Sequence, residues 1–142
     1  MFVLDTDHLS IIQRKSEPEF GNLAMAIMQF PPTDFYVSIV SFHEQVLGWN
    51  AYIHKAKSSG RLIHGYAMFE ALLADFSTMQ LLPFDLEAIA RFESLRAARV
   101  RIATMDLRIA ATALSRGFTV LSRNLVDFEQ VPGLTVEDWT IP

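Results

Sequence analysis

The sequence predicts an α/β fold, an α/β/α arrangement in which a mainly parallel central sheet is flanked by helices, within a single domain spanning residues 1–142. Short apolar runs of strand length alternate with longer stretches of helical periodicity, the pattern of parallel strands joined by helices. With 142 residues and 51% hydrophobic content, the chain holds enough apolar material for one substantial core. No internal repeat, linker or low-complexity tract divides it.

Phe2-Val3-Leu4 ends at an aspartate and reads as a buried strand, and Leu9, Ile11 and Ile12 then mark a short helix. Glu17 to Phe30 carries Leu23, Ala24, Ile27 and Phe30 at helical spacing, and Pro31-Pro32 stops it. Phe35 to Val40 is aromatic and β-branched, hence a second strand. His43 to Lys57 is a helix with Val46, Leu47 and Ile53 inward. Leu62 to Met79 is the clearest helix, with Leu62, Tyr66, Phe69, Leu73 and Phe76 along one face. Leu81-Leu82 is a short strand closed by Pro83. Asp85 caps a helix to about Arg99, striped by Leu86, Ile89, Phe92 and Leu95. Asp106 begins the next helix, with Leu107, Ala110, Ala111 and Leu114 inward and Gly117 as its C-cap. Phe118 to Leu121 is a strand, and Leu134 to Val136 adds a last short one.

Composition narrows the function. Cysteine is absent, which excludes disulfides, thiolate metal sites and Cys nucleophiles. No basic n-region or membrane-length apolar run appears, so the expected setting is cytoplasmic. His8, His43, His54 and His64 show no zinc spacing, and neither a G-x-S-x-G elbow nor a glycine-rich phosphate loop occurs. The net charge of −4 is unevenly spread, because Arg91 to Arg123 holds seven arginines against Glu93 and Asp106. Arg is the side chain suited to forked contacts with phosphate, though a solvated helix face would look the same.

Acids fall at the strand ends. Asp5 follows the first strand, Glu44 comes soon after the second, and Asp106 opens a helix. Asn124, between Ser122 and Asp127, follows the last strong strand. In a parallel sheet, ligands sit beyond the carboxyl ends of the strands, so these side chains can share one crevice. An oxygen-only cluster of that kind suits Mg²⁺ or Mn²⁺. Each acid also has a structural explanation: Asp5, Asp7 and Asp106 can cap helices, and Glu44 suits a helix N-terminus placed in its first turn.

On these blocks the chain resembles the PIN-domain family, in particular the VapC-type toxins of bacterial toxin–antitoxin pairs. FVLDTDHLS, IVSFHEQVLG, LPFDLEA, MDLRIAATAL and TVLSRNLVDFEQVPGLTVEDW carry the resemblance essentially end to end. It implies a PIN fold, a Mg²⁺- or Mn²⁺-dependent endoribonuclease acting on RNA, a cognate antitoxin and a homodimer. It implies Asp5, Glu44 and Asp106 as metal ligands and Asn124 as the fourth catalytic position. Thr6 and Ser122 fall on supporting hydroxyl positions, and Asp127 stands in reserve. The neutral amide of Asn124 argues against a strong second metal. Arg99, Arg101, Arg108 and Arg123 are the expected RNA contacts.

Two rivals share these residues. Asp5-Thr6-Asp7 resembles the D-x-D of haloacid-dehalogenase-type phosphatases, but Leu9 breaks that pattern and no later acidic pair completes it. A non-catalytic PIN-fold RNA-binding or interaction module is favoured only by Asn124.

Overall fold

The computed structural model describes residues Met1 to Pro142. Strands β1 (Phe2–Leu4), β2 (Phe35–Ser38), β3 (Leu81–Leu82), β4 (Thr119–Leu121) and β5 (Val136–Glu137) form one sheet in the order β3-β2-β1-β4-β5. Every pairing is parallel. β1 is central, with Leu4 beside Val37 on one side and Leu121 on the other. Apolar runs without polar alternation suit such doubly covered strands. The residues after β1 and β4, Asp5 and Ser122, therefore meet at one rim.

Helices α1 (Thr6–Arg14), α2 (Glu19–Ile27), α3 (Ile39–Lys55), α4 (Ser59–Ser77), α5 (Leu86–Ala97), α6 (Thr104–Arg116) and α7 (Leu125–Phe128) complete the fold. Alternate strand residues feed two cores. Val3 and Val120 pack with Phe92, Leu95 and Ile109 on one face, whereas Leu4, Val37 and Leu121 meet Leu9, Leu72 and Phe76 on the other. Fully burying one such side chain contributes about 2 kcal/mol. Ala110, Ala111 and Ala113 are wholly buried on α6, and their small side chains let that helix sit close to its neighbours. At the opposite end of β1, Phe2 stacks on Phe35 and packs against Phe30 and Trp139, which ties the C-terminal segment to the sheet.

The structure moves several expected boundaries. β2 stops at Ser38 and α3 begins at Ile39 rather than His43, because the buried Ser38 hydroxyl accepts from the Val40 N–H as an N-cap. Glu44 thus lies in the second helical turn, not the first. The α6 helix begins at Thr104, so Asp106 sits within its first turn and does not cap it. The final strand pairs through Val136 and Glu137, slightly later than expected. A 3₁₀ turn at Pro32–Asp34 and the short α7 helix went unanticipated.

The apolar stripe assigned to α4 is also corrected. Leu62, Tyr66 and Leu73 are exposed, and the buried positions are Gly65, Leu72 and Phe76. Gly65 explains the rotation: a Cβ there would lie 2.5 Å from Ile53 Cγ1 on α3. The two helices cross on a glycine, which fixes a contact line that hydrophobic periodicity does not reveal. Leu47 on α3 and Leu86 on α5 are likewise exposed rather than inward.

Candidate metal centre

Asp5 caps a helix and faces the neighbouring acids with the same side chain. One carboxylate oxygen accepts from the Thr6 N–H at 2.8 Å and caps α1, while the other accepts from Ser122 Oγ at 2.7 Å. Its own N–H continues the ladder to Leu121. The carboxylate is thus held from β1, α1 and the end of β4, with only 5% of the residue exposed.

Glu44 reaches the same rim from α3. Thr6 Oγ1 lies 2.7 Å from Glu44 Oε1 and 3.1 Å from the hydroxyl of buried Ser41. A hydroxyl has one proton, so Thr6 donates to the carboxylate and accepts from Ser41. Asp106 enters from the first turn of α6. Asn124 Nδ2 donates to Asp127 at 2.9 Å and makes a longer contact of 3.5 Å with Asp106. Asp5, Glu44 and Asp106 each offer an oxygen, all within 4.8 Å of one another. These three residues come from segments 101 positions apart in the chain (5 to 106), and the parallel sheet brings them together.

The electrostatics report an acidic site short of positive charge. Burial, then the neighbouring charge of Asp7, pushes the Asp5 carboxyl up to about 7. Burial, then Glu44 and Asp127, pushes Asp106 up to about 6. Like charges forced together in a partly dry site hold on to protons unless a cation replaces them. Oxygen donors alone, with one carboxylate carried by each of three elements, suit a hard divalent ion.

Asp7 lies outside the cluster. Burial raises its carboxyl, but hydrogen bonds from His8 and the Arg123 N–H outweigh that and hold it below the ordinary range. Its other contact is Ser122, the donor to Asp5. His8 is wholly buried; its Nε2 accepts from the Trp139 N–H at 3.2 Å, so Nδ1 carries the proton given to Asp7 at 2.9 Å. This chain of bonds from the C-terminal segment to Asp5 had no sequence signal for its far end, since Trp139 is 131 residues from His8. Ser41 was missed as well; a serine facing Thr6 from a helix that begins unexpectedly early carries no motif.

The expected RNA contacts divide. Arg101 and Arg108 line one cavity beside Asp127, together with Arg96, which sequence reasoning did not select. Arg99 and Arg123 do not line it. Arg99 instead turns the chain after α5 with a left-handed backbone, φ 60°. No helix is long and apolar enough to cross a membrane.

A stretch of 67 residues, 44% of this chain and 51% of the relative, is 37% identical to the tRNA(fMet)-specific endonuclease VapC of Salmonella typhimurium. The match therefore spans about half the length of that relative. Ribonuclease VapC1 of Rickettsia felis is 29% identical over 105 residues, covering 71% of this chain and 73% of the relative. Among solved structures, DNA-bound VapBC from Salmonella typhimurium superposes with a TM-score of 0.71 at 27% identity, covering 97% of both chains. VapBC-1 from nontypeable Haemophilus influenzae gives a TM-score of 0.75 at 20% identity, over 99% of this chain and 98% of that one, and shows the shared fold. The family model for the PIN domain matches residues 2–134, from the first strand to the turn before the last. With a parallel sheet that gathers three acids at one rim, and a family match over nearly its whole length, this chain belongs to the PIN-domain family.

Proposed function

We propose that the chain is a Mg²⁺- or Mn²⁺-dependent endoribonuclease, the toxin of a type II toxin–antitoxin pair, working in the cytoplasm as a homodimer and blocked by a cognate antitoxin. The observation that carries the nuclease reading is the convergence of Asp5, Glu44 and Asp106 within 4.8 Å. The VapC ribonucleases among its relatives supply RNA as the substrate class. The partner reading rests on the VapBC complexes among its structural neighbours, and exposed Leu62, Ile63, Tyr66 and Leu73 on α4 offer apolar surface for such contacts.

In this reading Asp5, Glu44 and Asp106 hold the cation. A divalent ion bound there supplies a water of lowered pKa and neutralises charge on the phosphodiester. The protein's part is to fix the ligands beforehand. Ser122 orients one oxygen of Asp5 and the α1 backbone orients the other, while Thr6 holds Glu44. Asn124 borders Asp106 with a neutral donor, which favours one ion over two. Asp127, bonded to the same amide, stands behind it.

The ends of the products test the mechanism. Water attack on phosphorus breaks the bond to the 3′ oxygen and leaves a 3′-hydroxyl on one fragment and a 5′-phosphate on the other. Ligation-based end mapping of cleaved RNA is expected to find those ends. Cyclic 2′,3′-phosphates would mean that the ribose hydroxyl attacks, and would contradict the assignment.

A further inference from the structure

The metal cluster has a strongly basic neighbour. The α5 helix ends at Ala97, and Arg99 reverses the chain in a left-handed turn, with the Val100 N–H returning to the Leu95 carbonyl. The segment from Val100 to Ala103 then crosses to the start of α6 and leaves a cavity of about 690 Å³ between the two helices. Phe92 and Leu107, both buried, form its apolar floor. Arg96, Arg101 and Arg108 also line it, together with Asp127, the acid that accepts from Asn124.

These three guanidinium groups have no carboxylate partner within ion-pair distance; among the arginines only Arg116 is paired, with Asp85 at 2.8 Å. Arg96 and Arg108 both stand over the Phe92 ring, at 5.6 and 5.8 Å from its centre. The remaining polar contact of Arg108 is a thioether, Met105 Sδ at 3.6 Å. Three like charges around one cavity repel each other, and the lone Asp127 leaves a surplus of positive charge. An anion relieves that surplus. Guanidinium offers phosphate a forked set of donors and offers a nucleobase a flat face to stack on. The cavity is also of a size that holds a small-molecule group such as a nucleotide, within the roughly 300–1,000 Å³ of ligand sites.

Its position gives the ligand a direction. Asp127 lines the cavity and bonds Asn124, and Asn124 in turn reaches Asp106. We infer that the Arg96–Arg101–Arg108 cavity is a nucleotide subsite that binds a phosphodiester of the RNA strand flanking the bond held at the Asp5–Glu44–Asp106 cluster. This inference rests on the ribonuclease reading and refines it. The subsite assigns part of the chain's RNA affinity to one pocket rather than to diffuse positive charge.

Fluorescence anisotropy of a labelled single-stranded RNA of about 12 nucleotides, in EDTA and over a range of salt, tests it on the full chain. The variant Arg96→Gln/Arg101→Gln/Arg108→Gln is expected to bind at least about tenfold more weakly, and to flatten the slope of log affinity against log salt by about two. A control with the same charge change, Arg14→Gln/Lys57→Gln/Arg61→Gln, is expected to stay within about twofold of the wild type. The single variant Arg101→Gln, at an exposed side chain, carries the same test if the triple variant unfolds, with a slope change of about 0.7. Equal losses in pocket and control variants, or wild-type affinity in the pocket variant, would overturn the subsite while leaving the ribonuclease reading intact. RNA neither bound nor cut by the wild type would overturn both.

Discussion

Asp106→Asn is expected to lower RNA cleavage by about 10³-fold or more without unfolding the protein. The change removes a charge and preserves the shape of the side chain. Asp106 is a cleaner target than Asp5, because Asp5 also caps α1 and anchors the end of β4 through Ser122. Asp106 is half-buried, sits within the first turn of α6 and makes only the long contact with Asn124. Its removal therefore costs the cluster a ligand and costs the fold little. Single-turnover cleavage of an RNA substrate in Mn²⁺, together with a thermal melt of the same sample, reads both effects. A variant that cuts at the wild-type rate would exclude Asp106 from the catalytic cluster.

The second large effect is on stability. In EDTA the protein is expected to lose stability as pH rises from about 4 to about 7, and a divalent cation is expected to reverse the loss. Asp5 titrates near 3.8 when unfolded and about 7 when folded, and Asp106 shifts from 3.8 to about 6. Within that window the folded state binds more protons than the unfolded state, so protons stabilise it and their removal does the opposite. The loss is complete above the folded value of Asp5. For buried Asp5 the upper bound is about 4 kcal/mol, and half-exposed Asp106 adds less because solvent screens it. The lowered carboxyl of Asp7 acts in the opposite sense, in the more acid range below its unfolded value of 3.8, and so leaves this window untouched. Thermal unfolding at about pH 4.5 and about pH 7.5, with and without Mn²⁺, measures both limbs. A metal-free midpoint that stays flat or rises across that range would show that the acids are not forced together as described.

Much of the fold was legible because its strands are short, apolar and stopped by recognisable residues. Phe2-Val3-Leu4 ends at Asp5, and Thr119 to Leu121 ends at Ser122, so the sequence itself marked the rim where the site lies. The errors arose where tertiary contacts overrule local preference. Ile39 and Val40 carry strand propensity, yet the cap made by Ser38 turns them into a helix, which moves Glu44 one turn further along. On α4, Phe76 is buried as the hydrophobic stripe predicts, but Leu62, Tyr66 and Leu73 are exposed because Gly65 sets the crossing with α3.

The site shows the same division. Strand ends and spacing pointed to its three carboxylates among several candidate acids, the family resemblance singled them out, and the structure puts them together. Asp5 caps α1 through the Thr6 N–H while its carboxylate lies in the cluster, so the cap and cluster readings that the sequence set against each other do not compete. The buried His8–Asp7 link and the choice of Arg96 over Arg99 were illegible in the sequence. Both depend on which surface a side chain finds after the chain has turned: His8 at the C-terminal segment, Arg96 over the ring of Phe92.

The central claim is that Asp5, Glu44 and Asp106 together hold one divalent ion. Titration of Mn²⁺ followed by electron paramagnetic resonance, on the wild type and on Asp106→Asn at neutral pH, addresses it most directly. One tight ion per chain in the wild type, lost or strongly weakened in the variant, is the expected result. Equal Mn²⁺ binding by both proteins, or RNA cleavage by a wild type that binds no Mn²⁺, would contradict the account.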